Sequence, residues 1–225
     1  MTKPRRTGAG PADLVTAARR AGVRDPRVLA VLAATPRSAY VPVGEADRAG
    51  ADEPIPIPHG QVTTQPSLIA VMLEALALKG DESVLEIGTG YGFQTALLAG
   101  LARCVWSVER FADLAEAARA NLDAQRVANA HVRVGDGTIG LAEHAPFDAV
   151  IVSAAFTSVP PPLIEQLVIG GRLVQPVGPG GHEEVVLFVR EPDGLVPRRV
   201  VTGARFVRLV GSYGFGDERE ERRDG

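Results

Sequence analysis

The segment Val84–Gly92 constrains the fold of this chain more than any other. It reads Val-Leu-Glu-Ile-Gly-Thr-Gly-Tyr-Gly, an apolar run that ends in an acid and a glycine-rich turn, and a helical pattern begins at Phe93. A strand, a tight turn and a helix N-terminus in this order form the entrance to a nucleotide-type cofactor site in open α/β sheets. The glycines are spaced G-x-G-x-G rather than the G-x-G-x-x-G of dinucleotide-binding proteins, so we expect a cofactor other than NAD.

Strands that alternate with helices follow along the chain. The predicted core elements are strands over 83–87, 104–109, 131–134, 148–152 and 172–177 and helices over 93–101, 111–126 and 160–168, the last ended by Gly170-Gly171. This alternation predicts an α/β fold with a doubly wound, mostly parallel sheet, the Rossmann-like arrangement. Further strands near 184–190 and 205–210 are joined through Pro192-Asp193-Gly194 without a helix, so we expect an antiparallel C-terminal strand.

The region before the first core strand has a different character. Residues 11–33 predict two short helices, and residues 66–78 predict a third that Pro66 opens. Residues 35–65 between them are rich in proline and glycine, and their apolar content predicts a packed, functional loop. We expect a single domain with parts as follows: a cofactor-binding core (81–215), a substrate-side extension of helices and loop (11–80) and disordered tails (1–10 and 216–225).

Composition and charge exclude several classes of protein. Of the 225 residues, 45% are apolar, and the net charge of −3 leaves no basic surface for a nucleic-acid backbone. No apolar run approaches the roughly 20 residues that span a bilayer, so we expect no membrane partner. Cys104 is the single cysteine, which excludes a disulfide within the chain and favours a reducing, cytoplasmic location. We expect a monomer.

Three acids fall at the carboxyl ends of successive predicted strands, where open α/β sheets bind ligands. Glu86 stands beside the glycine turn, and an acid there suits a ligand with an ammonium or sulfonium charge, of which S-adenosylmethionine is the common one. Glu109 lies about 20 residues beyond the glycines, where an acid can hold ribose hydroxyls. Asp136 lies between Gly135 and Gly137, where it can accept from an amine such as adenine N6. Together they predict an adenosine site.

Two of these acids also have simpler interpretations. Glu109 could be a solvated charge at a helix start, because Arg110 follows it. Asp136 could be only a helix cap or an Asx turn. For Glu86 the pattern leaves two roles open, a position near the methionyl end of the cofactor or a brace for the turn.

The Pro-rich segment 56–66, Pro-Ile-Pro-His-Gly-Gln-Val-Thr-Thr-Gln-Pro, is more specific about the reaction. The other motifs that accompany it are Val84–Gly92, Gly135-Asp136-Gly137-Thr138, Ser153-Ala154-Ala155, Leu163-Ile164-Glu165-Gln166-Leu167, Gly170-Gly171-Arg172-Leu173-Val174 and Arg205-Phe206-Val207-Arg208-Leu209-Val210-Gly211. With these motifs the chain resembles the protein-L-isoaspartate O-methyltransferases, from about residue 11 to residue 213.

The resemblance implies an activity. An enzyme of this family moves the methyl group of S-adenosylmethionine onto the carboxylate of an isoaspartyl residue and leaves S-adenosylhomocysteine, and the ester then closes to a succinimide without further catalysis. The site hydroxyl of the family falls at Thr64 here, where relatives usually carry serine. Tyr91 stands where serine is frequent, and Pro58 stands where glycine is common.

The resemblance and the features above give a set of candidate site residues. Thr64 is the predicted catalytic residue, although it could be only the N-cap of the helix that follows. His59 is interpreted as a structural or cofactor-edge residue rather than a catalytic base. The predicted cofactor-binding residues are Glu86, Gly88, Thr89, Gly90, Gly92, Glu109, Arg110, Asp136, Gly137, Gln61 and His59. The predicted substrate-binding residues are Thr63, Thr64, Ser153, Ala154, Arg205 and Val207. Ser153 could instead only stabilise its turn, and Arg205 could form an ordinary surface pair.

The predicted chemistry needs neither a general base nor a metal. A carboxylate has a pKa near 4 and is already ionised at neutral pH, so positioning and desolvation are sufficient. The sequence holds no Ser-His-Asp order, no H-E-x-x-H and no cluster of metal ligands, and we expect no metal. Two alternatives remain: a methyltransferase that modifies one aspartate of a dedicated precursor peptide, and an inactive module that has kept only cofactor binding.

Overall fold

A computed structural model describes residues 11–216 of the chain. The predicted tails, 1–10 and all but the first residue of 216–225, lie outside this range. The helices are α1 (Pro11–Arg20), α2 (Pro26–Ala34), α3 (Pro66–Leu76), α4 (Phe93–Ala99), α5 (Ala112–Ala124) and α6 (Pro161–Glu165). The strands are β1 (Ile55–Ile57), β2 (Gln61–Thr63), β3 (Ser83–Ile87), β4 (Cys104–Glu109), β5 (Ala130–Val134), β6 (Phe147–Val152), β7 (Leu167–Val177), β8 (Glu183–Glu191) and β9 (Gly194–Ala204).

Seven of the strands form one sheet in the order β5-β4-β3-β6-β7-β8-β9, while β1 and β2 form a separate hairpin. Strands β3 to β7 run parallel, β8 is antiparallel to β7, and β9 is antiparallel to β8. The predicted α/β fold, with a mostly parallel sheet and an antiparallel C-terminal part, is confirmed. The strand order reverses between β3 and β6, and such switch points are where open α/β sheets bind ligands.

The central strands are apolar on both faces because both faces are covered. Val84 and Val105 point into a cluster formed with helices α1 to α5, whereas Leu85 and Val150 point into a cluster on the opposite face that includes Leu163 of α6. Among the described residues, no helix combines the length and the hydropathy that crossing a bilayer requires.

The predicted strand over 205–210 is wrong. β9 pairs with β8 from Glu191↔Gly194 to Glu183↔Ala204. Glu183 is the first residue of β8, so no residue of β8 remains to pair with residue 205 or those after it. The segment 205–210 turns away and pairs with the loop after β6, where the amide of Leu209 donates to the carbonyl of Ala155 at 2.7 Å.

The predicted helix over 160–168 is too long. α6 ends at Glu165, and Leu167 already pairs with Phe147 of β6. Gly170 and Gly171 therefore lie inside β7 rather than after a helix. Gly170 has a φ of +82°, and the pairing between β6 and β7 shifts register in this region, so the glycine pair permits an irregularity in the strand.

The Pro-rich segment 35–65 is packed, as its composition predicted, but it is not wholly irregular. It holds 3-10 helices at Arg37–Tyr40 and Val43–Arg48 and the β1–β2 hairpin, whose connection is the turn Pro58–Gly60. The segment also caps α3, because Asp52 accepts a hydrogen bond from the amide of Ser67 at 2.8 Å. This bond fixes the Pro-rich segment to α3.

Candidate active site

A cleft of about 890 Å³ opens at the carboxyl ends of β3, β4 and β6, at the switch point of the sheet. Twelve predicted site residues line it: Gln61, Thr63, Thr64, Gly88, Thr89, Gly90, Glu109, Arg110, Gly137, Ser153, Ala154 and Val207. The other predicted residues are placed elsewhere: His59, Glu86, Gly92 and Asp136 support the cleft from outside, and Arg205 lines a neighbouring groove.

The glycine-rich turn forms the floor of the cleft. Gly88, Gly90 and Gly92 have φ values of +94°, +55° and +91°, which explains why glycine is needed at each. The amide of Gly88 donates to the carbonyl of Val108 at 2.9 Å and fixes the turn to the adjacent strand. With α4 beginning at Phe93, the turn presents backbone to a ligand at a helix N-terminus.

Glu109 ends β4 and lines the cleft although only 5% of its surface is exposed. Its Oε2 accepts from the amide of Gly90 at 2.9 Å, and its Oε1 accepts from the amide of Phe111 at 3.1 Å. Burial raises the pKa of this carboxyl, although these hydrogen bonds oppose the change. The interpretation as a solvated helix-start charge is therefore wrong, and Glu109 is a fixed acceptor that can face two hydroxyls.

Glu86 lies beneath the turn, and its side chain is fully buried. Its Oε2 accepts from the hydroxyls of Thr95 at 2.5 Å and Ser107 at 2.6 Å, and its Oε1 accepts from Nε2 of Gln94 at 3.0 Å. Burial raises the pKa of Glu86 from 4.5 to about 7, partly offset by these donors, and repulsion from Glu109 adds to the increase. Of its two predicted roles, the structure shows the brace.

Asp136 is a cap and a tether. Its Oδ1 accepts from the amide and the hydroxyl of Thr138 at 2.8 and 2.6 Å, and its Oδ2 accepts from the amide of Ser212 at 2.7 Å. Burial acts to raise the pKa of Asp136, but these hydrogen bonds outweigh it and lower the pKa. Asp136 thus caps the turn Gly137–Ile139, as one of its two interpretations predicted. Of Asp136 and Gly137, only Gly137 lines the cleft.

A groove lies beside the cleft, and the two share Val62, Thr64, Ser153 and Val207. The other residues of the groove are Ala21, Pro54, Gln65, Ser67, Leu68, Val71, Thr202, Gly203, Ala204, Arg205 and Phe206. Thr64 is not the N-cap of α3, because Gln65 holds that position and makes no side-chain cap bond. Because Thr64 lines both spaces, it lies where cleft and groove meet.

The β1–β2 hairpin covers one side of the cleft and is fastened at both ends. The buried guanidinium of Arg37 donates to Oγ1 of Thr63 at 2.8 Å and to two backbone carbonyls of the Pro-rich segment. At the turn, Nε2 of His59 lies 2.8 Å from Oδ2 of Asp113, and the imidazole stacks on Phe111 with 4.1 Å between ring centroids. His59 thus connects the hairpin to the start of α5.

Sequence reasoning missed several residues that line the cleft, among them Tyr40, Gln94, Phe111 and Arg208. Two carried a usable signal. Gln94 is a polar residue in the first turn of a mostly apolar helix, and Phe111 lies two residues after Glu109, at the same edge of the sheet. The described residues contain no group of three or more His, Cys, Asp or Glu side chains suited to a metal ion.

Comparison with known proteins identifies the family. Residues 10–214 match the family model described as protein-L-isoaspartate(D-aspartate) O-methyltransferase. Protein-L-isoaspartate O-methyltransferase of Geobacter metallireducens is 47% identical over 197 residues, covering 88% of this chain and 91% of the relative. The protein of the same name from Anaeromyxobacter dehalogenans is 49% identical over 191 residues, covering 84% and 91%.

Solved structures agree with this relationship. A protein-L-isoaspartate O-methyltransferase with 25% identity superposes with a TM-score of 0.78, covering 91% of this chain and 67% of that chain. A Plasmodium falciparum structure, titled as a putative protein-L-isoaspartate O-methyltransferase in complex with S-adenosyl-L-homocysteine, shares the fold at a TM-score of 0.76 and 20% identity, covering 89% and 98%. The chain belongs to the protein-L-isoaspartate(D-aspartate) O-methyltransferase family.

Proposed function

We propose that this chain transfers the methyl group of S-adenosylmethionine to the carboxylate of isoaspartyl residues in damaged proteins and peptides. Membership of the family supports this activity. The observation that carries the proposal is the junction at Thr64, where a cleft suited to an adenosyl cofactor opens into a groove that can admit a peptide side chain. A methyl group can pass between two substrates only where their sites meet.

The cleft residues fit an adenosyl cofactor. Glu109 is a buried carboxylate that faces the cleft and would accept from ribose hydroxyls. The glycine turn from Gly88 would approach the ligand with its backbone. Gly137 lines the same cleft, and glycine is needed there because a β-carbon would come within 2.3 Å of the Ile87 side chain. When bound, S-adenosylmethionine supplies an electrophilic methyl group on a sulfonium.

The acceptor site has to position a nucleophile that is already charged. The isoaspartyl carboxylate is ionised at neutral pH, so one of its oxygens bonds to the methyl carbon as the carbon–sulfur bond breaks, and no proton is transferred. Thr64 would orient this carboxylate by donating its hydroxyl hydrogen. The groove would hold the flanking peptide along Val207, with Arg205 near acidic groups of the substrate.

We also propose that the protein acts as a monomer in the cytoplasm, without a nucleic-acid or membrane partner. One chain lines both the cleft and the groove, which is what a self-sufficient monomer requires. The net charge of −3 supports the expectation that nucleic acid is not bound.

Matched peptides test the activity. The protein is incubated with methyl-labelled S-adenosylmethionine and peptides that differ only in aspartate or isoaspartate at one position. We expect base-labile methyl ester on the isoaspartyl peptide alone. Transfer to neither peptide, despite measurable cofactor binding, would leave the inactive binding module, whereas transfer that requires one particular aspartate-containing peptide would support the dedicated-substrate alternative.

A further inference from the structure

We propose that Gln94 is a positioning residue, which fixes the hydroxyl of Ser153 as a hydrogen-bond donor to the acceptor carboxylate. Neither Gln94 nor this coupling follows from the motifs of the chain. The inference rests on the methyl transfer proposed above and names a second hydroxyl, besides that of Thr64, that binds the isoaspartyl group. It depends on the hydrogen bonds of the buried Gln94 carboxamide and on the direction in which they leave the hydroxyl hydrogen of Ser153.

Gln94 connects the brace under the turn to the junction of cleft and groove. It lies in the first turn of α4, and only 6% of its surface is exposed. Its Nε2 donates to Oε1 of Glu86 at 3.0 Å and to Oγ of Ser153 at 2.9 Å. A carboxamide nitrogen has two hydrogens, so both are used. Its Oε1 is buried and has no hydrogen-bond partner among the described residues.

The charge of Glu86 determines which way the carboxamide points. An ionised carboxylate only accepts hydrogen bonds, and Oε2 of Glu86 already accepts from Thr95 and Ser107. Turning the Gln94 carboxamide over would place its carbonyl oxygen against Oε1 of Glu86 and would leave the amide hydrogens without partners. The observed orientation leaves one unpaired oxygen instead, which is the smaller loss.

The orientation of the Gln94 carboxamide makes the Ser153 hydroxyl the acceptor, and not the donor, of the hydrogen bond between them. Because its oxygen accepts from Gln94, its own hydrogen must point elsewhere, and in residues 11–216 it meets no protein acceptor. Ser153 lines both cleft and groove, as Thr64 does. A carboxylate that enters this junction from the groove is an acceptor without hydrogens of its own. Ser153 and Thr64 would therefore each donate to it.

A double-mutant cycle tests the coupling at pH 8, where Glu86 is ionised. The variants are Gln94→Met, Ser153→Ala and the pair, assayed with the isoaspartyl peptide and with S-adenosylhomocysteine as the cofactor-site probe. We expect each single variant to lower kcat/KM for the peptide by about 10- to 100-fold, the size of one hydrogen bond to a charged group. The pair should fall no more than about twofold below the worse single variant, because both remove the same interaction.

Two further variants separate positioning from general loss of structure. Ser153→Thr keeps the hydroxyl and should restore most of the activity that Ser153→Ala loses. Thr95→Val removes another donor to Glu86 but not the bond between Gln94 and Ser153, so its effect should add to that of Ser153→Ala. The affinity for S-adenosylhomocysteine should stay within about threefold in the Ser153 variants, since they alter the acceptor side.

The outcomes distinguish this inference from the proposed function. If the unaltered protein methylates no isoaspartyl peptide, the proposed function fails. If it is active but the effects of Gln94→Met and Ser153→Ala are additive, Gln94 does not act through Ser153, and the inference is overturned. An active Ser153→Ala variant with unchanged kcat/KM also overturns it, because the hydroxyl would then not bind the acceptor.

Discussion

The proposed cofactor side and the proposed acceptor side of this site are built in different ways. On the cofactor side, the ends of two neighbouring parallel strands supply the turn at Gly88 and the acid Glu109, and backbone amides hold that acid in place. On the acceptor side, Thr64, Ser153 and Val207 come from segments distant in the chain. Neighbouring strands of a regular sheet can position one ligand, whereas the second site depends on hydrogen bonds between residues that lie far apart in the chain.

In these long-range hydrogen bonds, side chains pair mainly with backbone groups of distant segments. Asp136 holds the amide of Ser212, and the buried Glu183 accepts from the amide of Phe206 at 2.9 Å, so the closing segment 205–210 is tied at both ends. Arg37 holds the hairpin in a similar way, because its guanidinium donates to Oγ1 of Thr63 and to the carbonyls of Ala51 and Glu53 just before β1. Changes on the cofactor side should therefore act on cofactor affinity, and changes on the acceptor side should act on turnover.

The largest expected effect comes from Glu109→Gln. The amide replaces an acceptor-only group, and one of its hydrogens would face the amide of Gly90 or Phe111, so the hydrogen bonds proposed between Glu109 and the ribose would be lost. We expect the Kd for S-adenosylhomocysteine to rise by about 100-fold or more, as for the loss of two hydrogen bonds to a charged group. Calorimetric titration measures the Kd, and a thermal melt checks the fold. An unchanged Kd in a folded variant would remove Glu109 from the ribose role.

Glu86→Gln should act on stability and its pH dependence, because Glu86 lies outside the cleft. The pKa of Glu86 is raised to about 7 in the folded state, so between about pH 4.5 and pH 7 the folded state binds more protons than the unfolded state. The folding stability contributed at this site therefore falls as pH rises through that range, by about 3 kcal/mol. Glu86→Gln should abolish this fall, which urea unfolding at pH 5 and pH 8 would show.

Glu82→Gln is the matched control for that measurement. For Glu82 burial acts to raise the pKa, but hydrogen bonds from Gly80 and Lys79 outweigh it and lower the pKa. Its stabilisation is present above the unfolded pKa and is lost only in acid, so the difference between this variant and the unaltered protein should stay constant from pH 5.5 to 8. A Glu86→Gln profile parallel to that of Glu82→Gln would contradict the assignment.

The contrast between adjacent strand ends and long-range contacts also explains which parts of the site could be predicted from the sequence. The turn at Gly88 and the acid Glu109 are local signals, since strand, turn and helix follow one another and parallel strands bring their ends together. The strands β3 to β6 were therefore predicted to within one residue at each end. Thr64 was found through a family motif, because nothing in its local pattern distinguishes it from a helix cap.

The remainder depended on contacts that have no local pattern. The strand predicted over 205–210 is wrong because the register of the β8–β9 hairpin, which no local pattern shows, decides that pairing ends at Ala204. The bonds of Asp136 to Ser212 and of Gln94 to Ser153 join residues far apart in the chain, and no periodicity reports them. Side-chain tethers of this kind are the part of a site that a single sequence leaves open.

Thr64→Ala probes the acceptor side directly. Loss of the hydroxyl should lower kcat for the isoaspartyl peptide by about 10- to 100-fold, since one hydrogen bond to a carboxylate disappears. The Kd for S-adenosylhomocysteine should change by less than about threefold, because the groove and not the cofactor cradle is altered. Thr64→Ser is the control and should retain activity. If Thr64→Ala instead weakened cofactor binding and spared kcat, the division into two sides would be wrong at its junction.

The smallest expected effect belongs to the contact that joins the two sides, His59 with Asp113. The contact lies at the surface, with Asp113 exposed and His59 half-buried. Hydrogen bonding from His59 lowers the pKa of Asp113, so the contact helps to hold the hairpin against α5 without touching the cleft. His59→Ala should raise the Kd for S-adenosylhomocysteine and the peptide KM together, each by about two- to fivefold, as expected for a partly screened surface contact.

Glu45→Ala removes a comparable pair with Arg48 on the same segment and should change neither value. Steady-state kinetics and titration at 0.05 and 0.5 M salt would measure both, and an effect of His59→Ala confined to one ligand would show that the hairpin serves only that side.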